Sequence, residues 1–596
     1  MHHRLSAHTL TVTSIDNPTP AARWWTPLAY GLVCSVLWVL SWAVIFSDSA
    51  AQLLSPISAF AAAAIGVLAV RPNIIGDTRK RLALKAALFG LGHAPALALG
   101  HLYIWKTAGP TLLLLVAYLA LFPAVALYIA VRLHRRWPRL PTVATVPFLW
   151  VALEVVRGEW LVGGYPWYLV GHAATRPGGA SWLAPIIGAY GCSLVLVAVA
   201  CAVNDLLGRS GKVAFAGVAA VIASGGLSLA LGPRAAEPPQ RTFRVAVLQT
   251  NLPQDNKLGW AIGDRVEAHK RWLALSEAAA AGPRRPQLIV WPETMFAGVA
   301  LNPEAIDVQR RAGLTYTVPG SADPLAATWF ADTLIALQVR VRTPLLVGSI
   351  AADGLAYAQT EQGVKTTTAA RANSAILVAD GGPQQARYDK VNLMAFGEYI
   401  PVAYRWPSVQ QWLAGIGAQG MAFDLAFGRD RTLFNVEGVR IGTPICFESC
   451  HQSANRAFTT NADGSRRADL LINLTNDGWF YGSDFNRRMH LLQCRWRCAE
   501  LETPMVRAAN TGISCVIDSA GRVLTTALDD GRPLLRNEGV VSADVPLPLS
   551  LSPATPMTFF ARIGHHLTTV IVACGGVLAV LAFWPARRPQ PGSAQN

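Results

Sequence analysis

Long unbroken apolar runs fill the first part of the chain, and one more closes it; between them, apolar and polar residues alternate in short stretches. The long runs read as Pro27 to Phe46, Pro56 to Val70, Ala83 to Trp105, Thr111 to Val131, Thr142 to Val156, Trp182 to Leu206, Val213 to Leu231 and Thr568 to Trp584. A helix needs about 20 residues to cross the hydrocarbon core, and shorter runs can span locally. The pattern predicts eight transmembrane helices, seven before a large block of alternating character and one after it. Glu154 and Arg157, three apart near the end of the fifth run, share one helix face and are a candidate functional pair at the membrane boundary. Trp160, Trp167 and Tyr168 follow them and suit an interfacial aromatic belt.

Basic residues set the orientation. Arg71, Arg79, Lys80 and Arg81 follow the second run; Arg132, Arg135, Arg136 and Arg139 follow the fourth; Arg209 and Lys212 follow the sixth; Arg587 and Arg588 follow the eighth. Loops rich in Lys and Arg stay in the cytoplasm, so both chain ends are expected there. The expected division is a cytoplasmic tail over 1–26, a seven-helix membrane domain over 27–232, an outer or periplasmic domain over 233–565, the eighth helix over 566–585 and a second cytoplasmic tail over 586–596. Met1 to Trp25 is polar and the first apolar run lacks a small-residue cleavage site, so that run reads as a retained anchor.

Composition supports this picture. Hydrophobic residues make up 52% of the 596 and charged residues 15%, against a usual charged share of about 25%. A net charge of +15 would suggest nucleic acid in a soluble protein. Here cytoplasmic loops beside an anionic lipid surface account for it, and no nucleic-acid partner is expected. The nine cysteines are odd in number and scattered, which argues against a disulfide framework.

The outer block reads as a layered sheet-and-helix domain. Strands are expected at Phe243 to Gln249, Gln287 to Trp291, Pro344 to Gly348, Asn373 to Ala379, Gln384 to Lys390, Leu433 to Glu437, Val439 to Ile445, Leu470 to Leu474 and Asn510 to Ile517. Helices are expected at Arg265 to Ala281 and Phe485 to Leu501. Three of the strands end on chemistry: Glu293 after Trp291-Pro292, Lys390 after Tyr388-Asp389, and Cys446 after Pro444-Ile445. A carboxylate, an ammonium and a thiol are the parts of a thiol acyl-transfer site: base, oxyanion cation and nucleophile. Metal binding is disfavoured, because the histidines are scattered and Cys446/Cys450 and Cys494/Cys498 are spaced as helix or loop neighbours. A transporter with a ligand-binding outer domain would need charge deep in the membrane runs, which are nearly charge-free.

These residues sit in recognisable settings. Trp291-Pro292-Glu293, Lys390 with Phe396-Gly397-Glu398-Tyr399 eight residues on, and Cys446-Phe447-Glu448 together resemble the Glu-Lys-Cys triad of the nitrilase superfamily. With Asn476-Asp477-Gly478-Trp479-Phe480, Asn510-Thr511-Gly512 and Gly164-Tyr165-Pro166-Trp167, nearly the whole chain resembles the bacterial apolipoprotein N-acyltransferases. The resemblance implies an αββα sandwich for the outer domain and a site built from Glu293 as base and acid, Lys390 for the oxyanion and Cys446 as nucleophile. Glu398, Glu448 and Phe447 would support them. Trp260, Phe396, Trp479, Phe480, Tyr481 and Trp329 are candidates for an acyl slot or its rim, and Trp167 with Glu154 and Arg157 for the membrane side.

The implied reaction moves a fatty acyl chain from the sn-1 position of a phospholipid, through a cysteine thioester, to the free α-amine of a diacylglyceryl cysteine that begins an apolipoprotein. Lys390 and the base are expected to raise the thiolate fraction of Cys446. Neither metal nor cofactor is expected, the protein is expected to act as a monomer, and its place is the bacterial cytoplasmic (inner) membrane. The alternative is a membrane-tethered nitrilase-like amidase, or an acyltransferase with another acceptor. The stretch from Ile306 to Arg340, which contains Trp329, departs from the pattern and is expected to be a lid or a membrane-resting arm.

Overall fold

Apolar helices that show their side chains outward make up the first part of the molecule. A computed structural model describes residues 25–46, 54–68, 78–175, 180–206, 241–252, 260–320, 323–361, 363–399, 401, 408, 425–526, 528–529, 532–533, 538–548 and 557–585. The membrane part comprises α1 (Thr26–Val44), α2 (Leu54–Leu68), α3 (Arg79–Gly92), α4 (Ala94–Gly100), α5 (Tyr103–Ala108), α6 (Thr111–Arg136), α7 (Val146–Val155) and α8 (Ala184–Leu206). On α6, Leu113, Leu114 and Leu121 stand exposed, as lipid-facing residues of a spanning helix must. The third expected span is broken: α3 stops at His93, and Pro95, near the start of α4, lacks the N–H that would continue the ladder.

Among the described residues, five helices are long and apolar enough to cross a membrane: Thr26–Val44, Arg79–Gly100, Thr111–Arg136, Ala184–Leu206 and His566–Phe583. The second expected span is a shorter apolar helix, and the fifth ends in a wide turn over Val156–Trp160. The seventh, Val213 to Leu231, lies outside the described residues. The protein is therefore a multi-pass membrane protein with a β-sheet domain.

That domain carries α9 (Ile262–Ala280), α10 (Pro303–Ala312), α11 (Trp329–Val341), α12 (Gln452–Thr459) and α13 (Asp484–Leu501), and α14 (Phe559–Phe583) follows it. The strands of its two large sheets are β1 (Thr242–Gln249), β2 (Leu288–Trp291), β3 (Leu345–Asp353), β4 (Ala370–Ala379), β5 (Gly382–Asp389), β6 (Leu433–Val436), β7 (Val439–Gly442), β8 (Leu470–Thr475), β9 (Met505–Ala509), β10 (Cys515–Ile517), β11 (Val523–Thr526) and β12 (Gly539–Pro546). One six-stranded sheet runs β12-β1-β2-β3-β4-β5 and the other β6-β7-β8-β9-β10-β11. In each, three neighbouring strands pair in parallel: β1-β2-β3 and β7-β8-β9.

The period-two alternation of strands sorts the first sheet's side chains between two cores. Val245, Val247, Leu288 and Val290 join Ile441, Ile472 and Val506 of the second sheet. Ala246, Leu248, Ile289 and Trp291 face Trp272 of α9 and Phe330, Leu334 and Leu337 of α11. The stretch expected as a lid or arm is thus corrected. It forms α10, a short hairpin and α11, and α11 buries a face spaced three to four residues apart against the sheet. The strand expected at Asn510 to Ile517 is also shorter, beginning at Cys515, while Met505–Ala509 is a strand the alternation did not single out.

Polar contacts join the two parts. Glu159, after α7, caps α12 by accepting from the Gln452 and Ser453 backbone N–H at 3.1 and 3.3 Å. Glu500, near the end of α13, accepts from the Ala189 backbone N–H at 2.7 Å. That N–H is free because α8 is kinked at Gly188, whose φ of 65° breaks the ladder. Gln452 and Arg497 also donate to Glu500.

Burial raises the Glu500 carboxyl from its ordinary 4.5 to about 7, with Arg497 only partly offsetting it. The folded protein then holds a proton that the unfolded chain releases. Its contribution is fully present below about pH 4.5 and is lost as pH rises through about 7. The thermal midpoint in detergent should fall between about pH 5 and pH 8, by an amount corresponding to at most about 3 kcal/mol. Glu500→Gln should flatten that slope, as differential scanning fluorimetry across the range would show.

Candidate active site

Three strand ends converge on one point. β2 ends at Trp291 and Pro292 stops its ladder, which leaves Glu293 beyond the sheet. β5 ends at Asp389, and the backbone N–H of Lys390 is tied to the Asn373 carbonyl at 2.8 Å. β7 leads through Ile445 into a tight turn over Cys446–Cys450.

Lys390 is almost wholly buried, at 1% exposure. Its Nζ lies 2.8 Å from Glu398 Oε2 and 3.6 Å from Glu293 Oε1. Asn373 Nδ2 bridges the two carboxylates, donating to Glu293 Oε1 at 2.8 Å and to Glu398 Oε1 at 2.9 Å. Glu293 Oε2 accepts from the Asn476 backbone N–H at 3.1 Å, and the Cys446 thiol is within hydrogen-bond reach of the same carboxylate. Glu398 Oε2 also accepts from the Met394 backbone N–H at 2.8 Å, which holds its loop against Lys390.

A second buried carboxylate ties the lysine loop to the cysteine turn. Glu448 Oε1 accepts from the backbone N–H groups of Val391 and Asn392 at 2.9 and 2.8 Å, and Oε2 from that of Ile445 at 2.8 Å. The Tyr388 hydroxyl donates to the same carboxylate at 2.7 Å. Residues on both sides of the reactive pair therefore hang from one side chain.

Burial raises the Glu293 carboxyl, with Lys390 acting against it and Glu398 with it. Burial pulls the Lys390 ammonium down, but the charges of Glu398 and, less strongly, Glu293 outweigh this and hold it protonated. Burial, and next the Glu293 charge, push the Cys446 thiol well above its ordinary value, and Lys390 offsets only part of that. The expected rise in thiolate fraction is corrected accordingly: burial and the Glu293 charge favour the neutral thiol, and Lys390 works against them only in part.

Phe447 stacks on Tyr165 of the membrane part, with ring centroids 5.9 Å apart. Trp167 is buried and meets Tyr165 and the half-buried Phe480 at 6.3 and 5.7 Å. Trp479 is half-buried, with its carbonyl facing Thr107. Phe396 and Tyr481 are exposed at 61% and 41%.

Other candidates stand elsewhere. Trp329 packs at 5.5 Å from His269 in the helix layer, and Trp260 lies against the same core. Glu154 and Arg157 are both buried but do not turn to each other. Glu154 accepts from the Val170 backbone N–H at 3.0 Å, and Arg157 donates to the Trp167 carbonyl at 2.8 Å. They brace the turn that presents Tyr165 and Trp167. Asn373 escaped the sequence reading. Its one signal was an amide just before the apolar end of its strand, which does not say what the amide faces.

The hydrogen bond from Asn373 lowers the Glu293 carboxyl. Asn373→Ala should therefore raise it further, and the acid limb of the kcat/KM profile should move up by about one pH unit, a hydrogen bond to a charged group being worth roughly 1.5–3 kcal/mol. An unmoved acid limb in the pH–rate profile would mean that Asn373 does not tune the base.

The match to known families follows the same division. Residues 36–202 match the apolipoprotein N-acyltransferase N-terminal domain and residues 244–550 the carbon-nitrogen hydrolase family. The chain is 31% identical over 488 residues to an apolipoprotein N-acyltransferase of Geobacter metallireducens, covering 80% of this chain and 81% of that one. It is 29% identical over 536 residues to one of Bradyrhizobium diazoefficiens, covering 85% and 87%. It is 30% identical over 507 residues to one of Bordetella bronchiseptica, covering 81% and 82%. With a membrane part that floors a Glu-Lys-Cys cluster and relatives matched across both parts, the chain belongs to the apolipoprotein N-acyltransferase family.

Proposed function

We propose that the protein transfers the sn-1 acyl chain of a phospholipid to the free α-amine of the S-diacylglyceryl cysteine at the start of an apolipoprotein, in two half-reactions. The observation that carries this reading is the convergence of Cys446, Glu293 and Lys390 beside aromatic residues of the membrane part, where Phe447 stacks on Tyr165. A lipid ester can reach such a site without leaving the bilayer. In this reading eight helices span the inner membrane, and the domain over 233–565 lies on its outer face.

In the first half-reaction the Cys446 sulfur attacks the ester carbonyl as its proton passes to Glu293. Lys390 stabilises the tetrahedral oxyanion. Glu293 returns the proton to the departing glycerol oxygen, and a lysophospholipid leaves. In the second, the lipoprotein amine attacks the thioester carbonyl and gives its proton to Glu293. The amide forms, and the thiolate leaves and recovers the proton. Glu398 keeps Lys390 from closing on Glu293, and Glu448 sets the spacing of the two loops. Phe480, Trp479 and Phe396 line or rim the acyl slot, where an apolar mouth slows loss of the thioester to water.

The test is intact mass of the purified protein in phospholipid, before and after a diacylglyceryl lipopeptide with a free amine is added. The expected result is an acyl adduct on Cys446 that disappears as triacylated peptide forms. Cys446→Ala and Glu293→Ala should show neither, while Cys450→Ala should show both. An adduct lost to water with the lipopeptide unchanged would favour the hydrolase alternative. Lys390→Arg should slow adduct formation about 100-fold or more, because the planar guanidinium cannot take the place of a compact ammonium at the oxyanion. A wild-type rate in that variant would place oxyanion stabilisation elsewhere.

A further inference from the structure

The turn that carries the nucleophile is held in a conformation that L side chains resist. Cys446 has a φ of 51°, in the left-handed region. Three side-chain groups meet its carbonyl oxygen: Ser449 Oγ at 2.8 Å, Asn473 Nδ2 at 3.2 Å and His490 Nε2 at 3.3 Å. Ser449 belongs to the same turn and Asn473 to β8. His490 comes from α13, and only it is anchored by buried charge.

That anchor is a network closed to solvent. His490 Nδ1 lies 2.9 Å from Asp477 Oδ1. Arg507 Nη2 donates to both Asp477 oxygens, at 2.9 and 2.7 Å, and lies 2.9 Å from His490 Nδ1. All three side chains are at most 2% exposed. Gly512 makes room for them: at its φ of 131°, a Cβ would stand 2.5 Å from Asp477 Oδ2. Asp477 also follows Asn476, whose backbone N–H orients Glu293. One buried charge network thus reaches the base through the chain and the nucleophile through an imidazole.

We infer that His490, held by Asp477 and Arg507, is the positioning residue that fixes the Cys446 turn so that the sulfur faces Glu293. The inference rests on the acyl-transfer reading of this site. Nε2 also lies 3.1 Å from Ser449 Oγ. Whichever ring nitrogen carries the proton, Nε2 engages the turn, as donor to the Cys446 carbonyl or as acceptor of the Ser449 hydroxyl. The imidazole touches no reacting atom, so its effect should appear in the rate of acylation and not in lipid affinity.

The experiment compares single-turnover thioester formation from phospholipid in the full-length wild type, His490→Leu and His490→Gln. His490→Leu should slow acylation about 100-fold at unchanged KM, the usual result of a small misplacement of a reacting group, and His490→Gln, whose amide can stand where Nε2 stands, should stay within about tenfold of wild type. If His490→Leu does not fold, His490→Asn takes its place, because the shorter amide ends near Nδ1 and cannot reach the turn. Alkylation of Cys446 by iodoacetamide, followed by peptide mass, should rank the variants in the same order with no acyl donor present. A wild type that forms no thioester would therefore sink the functional reading and leave this test intact. Equal rates for the Gln variant and the Leu or Asn variant would overturn the inference.

Discussion

An ammonium group shut away from water is the constraint on which the site depends. A buried charge costs several kcal/mol unless it is paired and hydrogen-bonded. Lys390 pairs more closely with Glu398, at 2.8 Å, than with Glu293, at 3.6 Å. The difference decides the chemistry. Were Glu398 absent, Glu293 would be the one carboxylate left among those paired with Lys390. With Glu398 present, the cation is stabilised and Glu293 stands off from it at 3.6 Å. Asn373 enforces the division by donating to both carboxylates from one amide nitrogen.

Two buried carboxylates and the half-buried Glu398 in so small a space would repel one another without a donor for each. Glu448 solves this with the main chain, taking three backbone N–H groups and one tyrosine hydroxyl. Those donors lie on two loops, so the stabilisation of the charge and the spacing of the loops are one interaction. The membrane part extends the logic. Glu159 caps the helix that follows the cysteine turn, and Tyr165 supports Phe447 from the other side. The Cys446 turn is thereby bracketed by groups that the membrane part presents.

Legibility varied with the range of the interaction. Glu293, Lys390 and Cys446 could be found because each stands at or just beyond a strand end, and a short motif surrounds each of them. Asn373 could not, since its importance lies in two carboxylates distant in the chain. His490 was no better marked: it occupies an amphipathic helix with Met489 and Leu492 beside it, and nothing local shows that it faces Asp477 and the Cys446 carbonyl. The stretch around Trp329 misled in the opposite sense. Its aromatic residues read as a surface arm, yet Phe330, Leu334 and Leu337 are core, because a helix laid on a sheet needs such a stripe.

The order of apolar runs by itself determined that this protein divides into membrane helices and a layered sheet-and-helix domain. Hydrophobic length and period are local properties, and they settle partition and element type. Strand-end residues and their neighbours likewise marked Glu293, Lys390 and Cys446, which the fold brings together. Only the tertiary structure decided which charges pair and what state each holds. The sequence reading expected Lys390 to raise the thiolate fraction of Cys446, but burial and the Glu293 charge push the thiol the other way. Desolvation depends on everything packed around a group, and Coulomb energy on distances of a few ångströms between residues far apart in the chain. Neither quantity exists until the chain has folded.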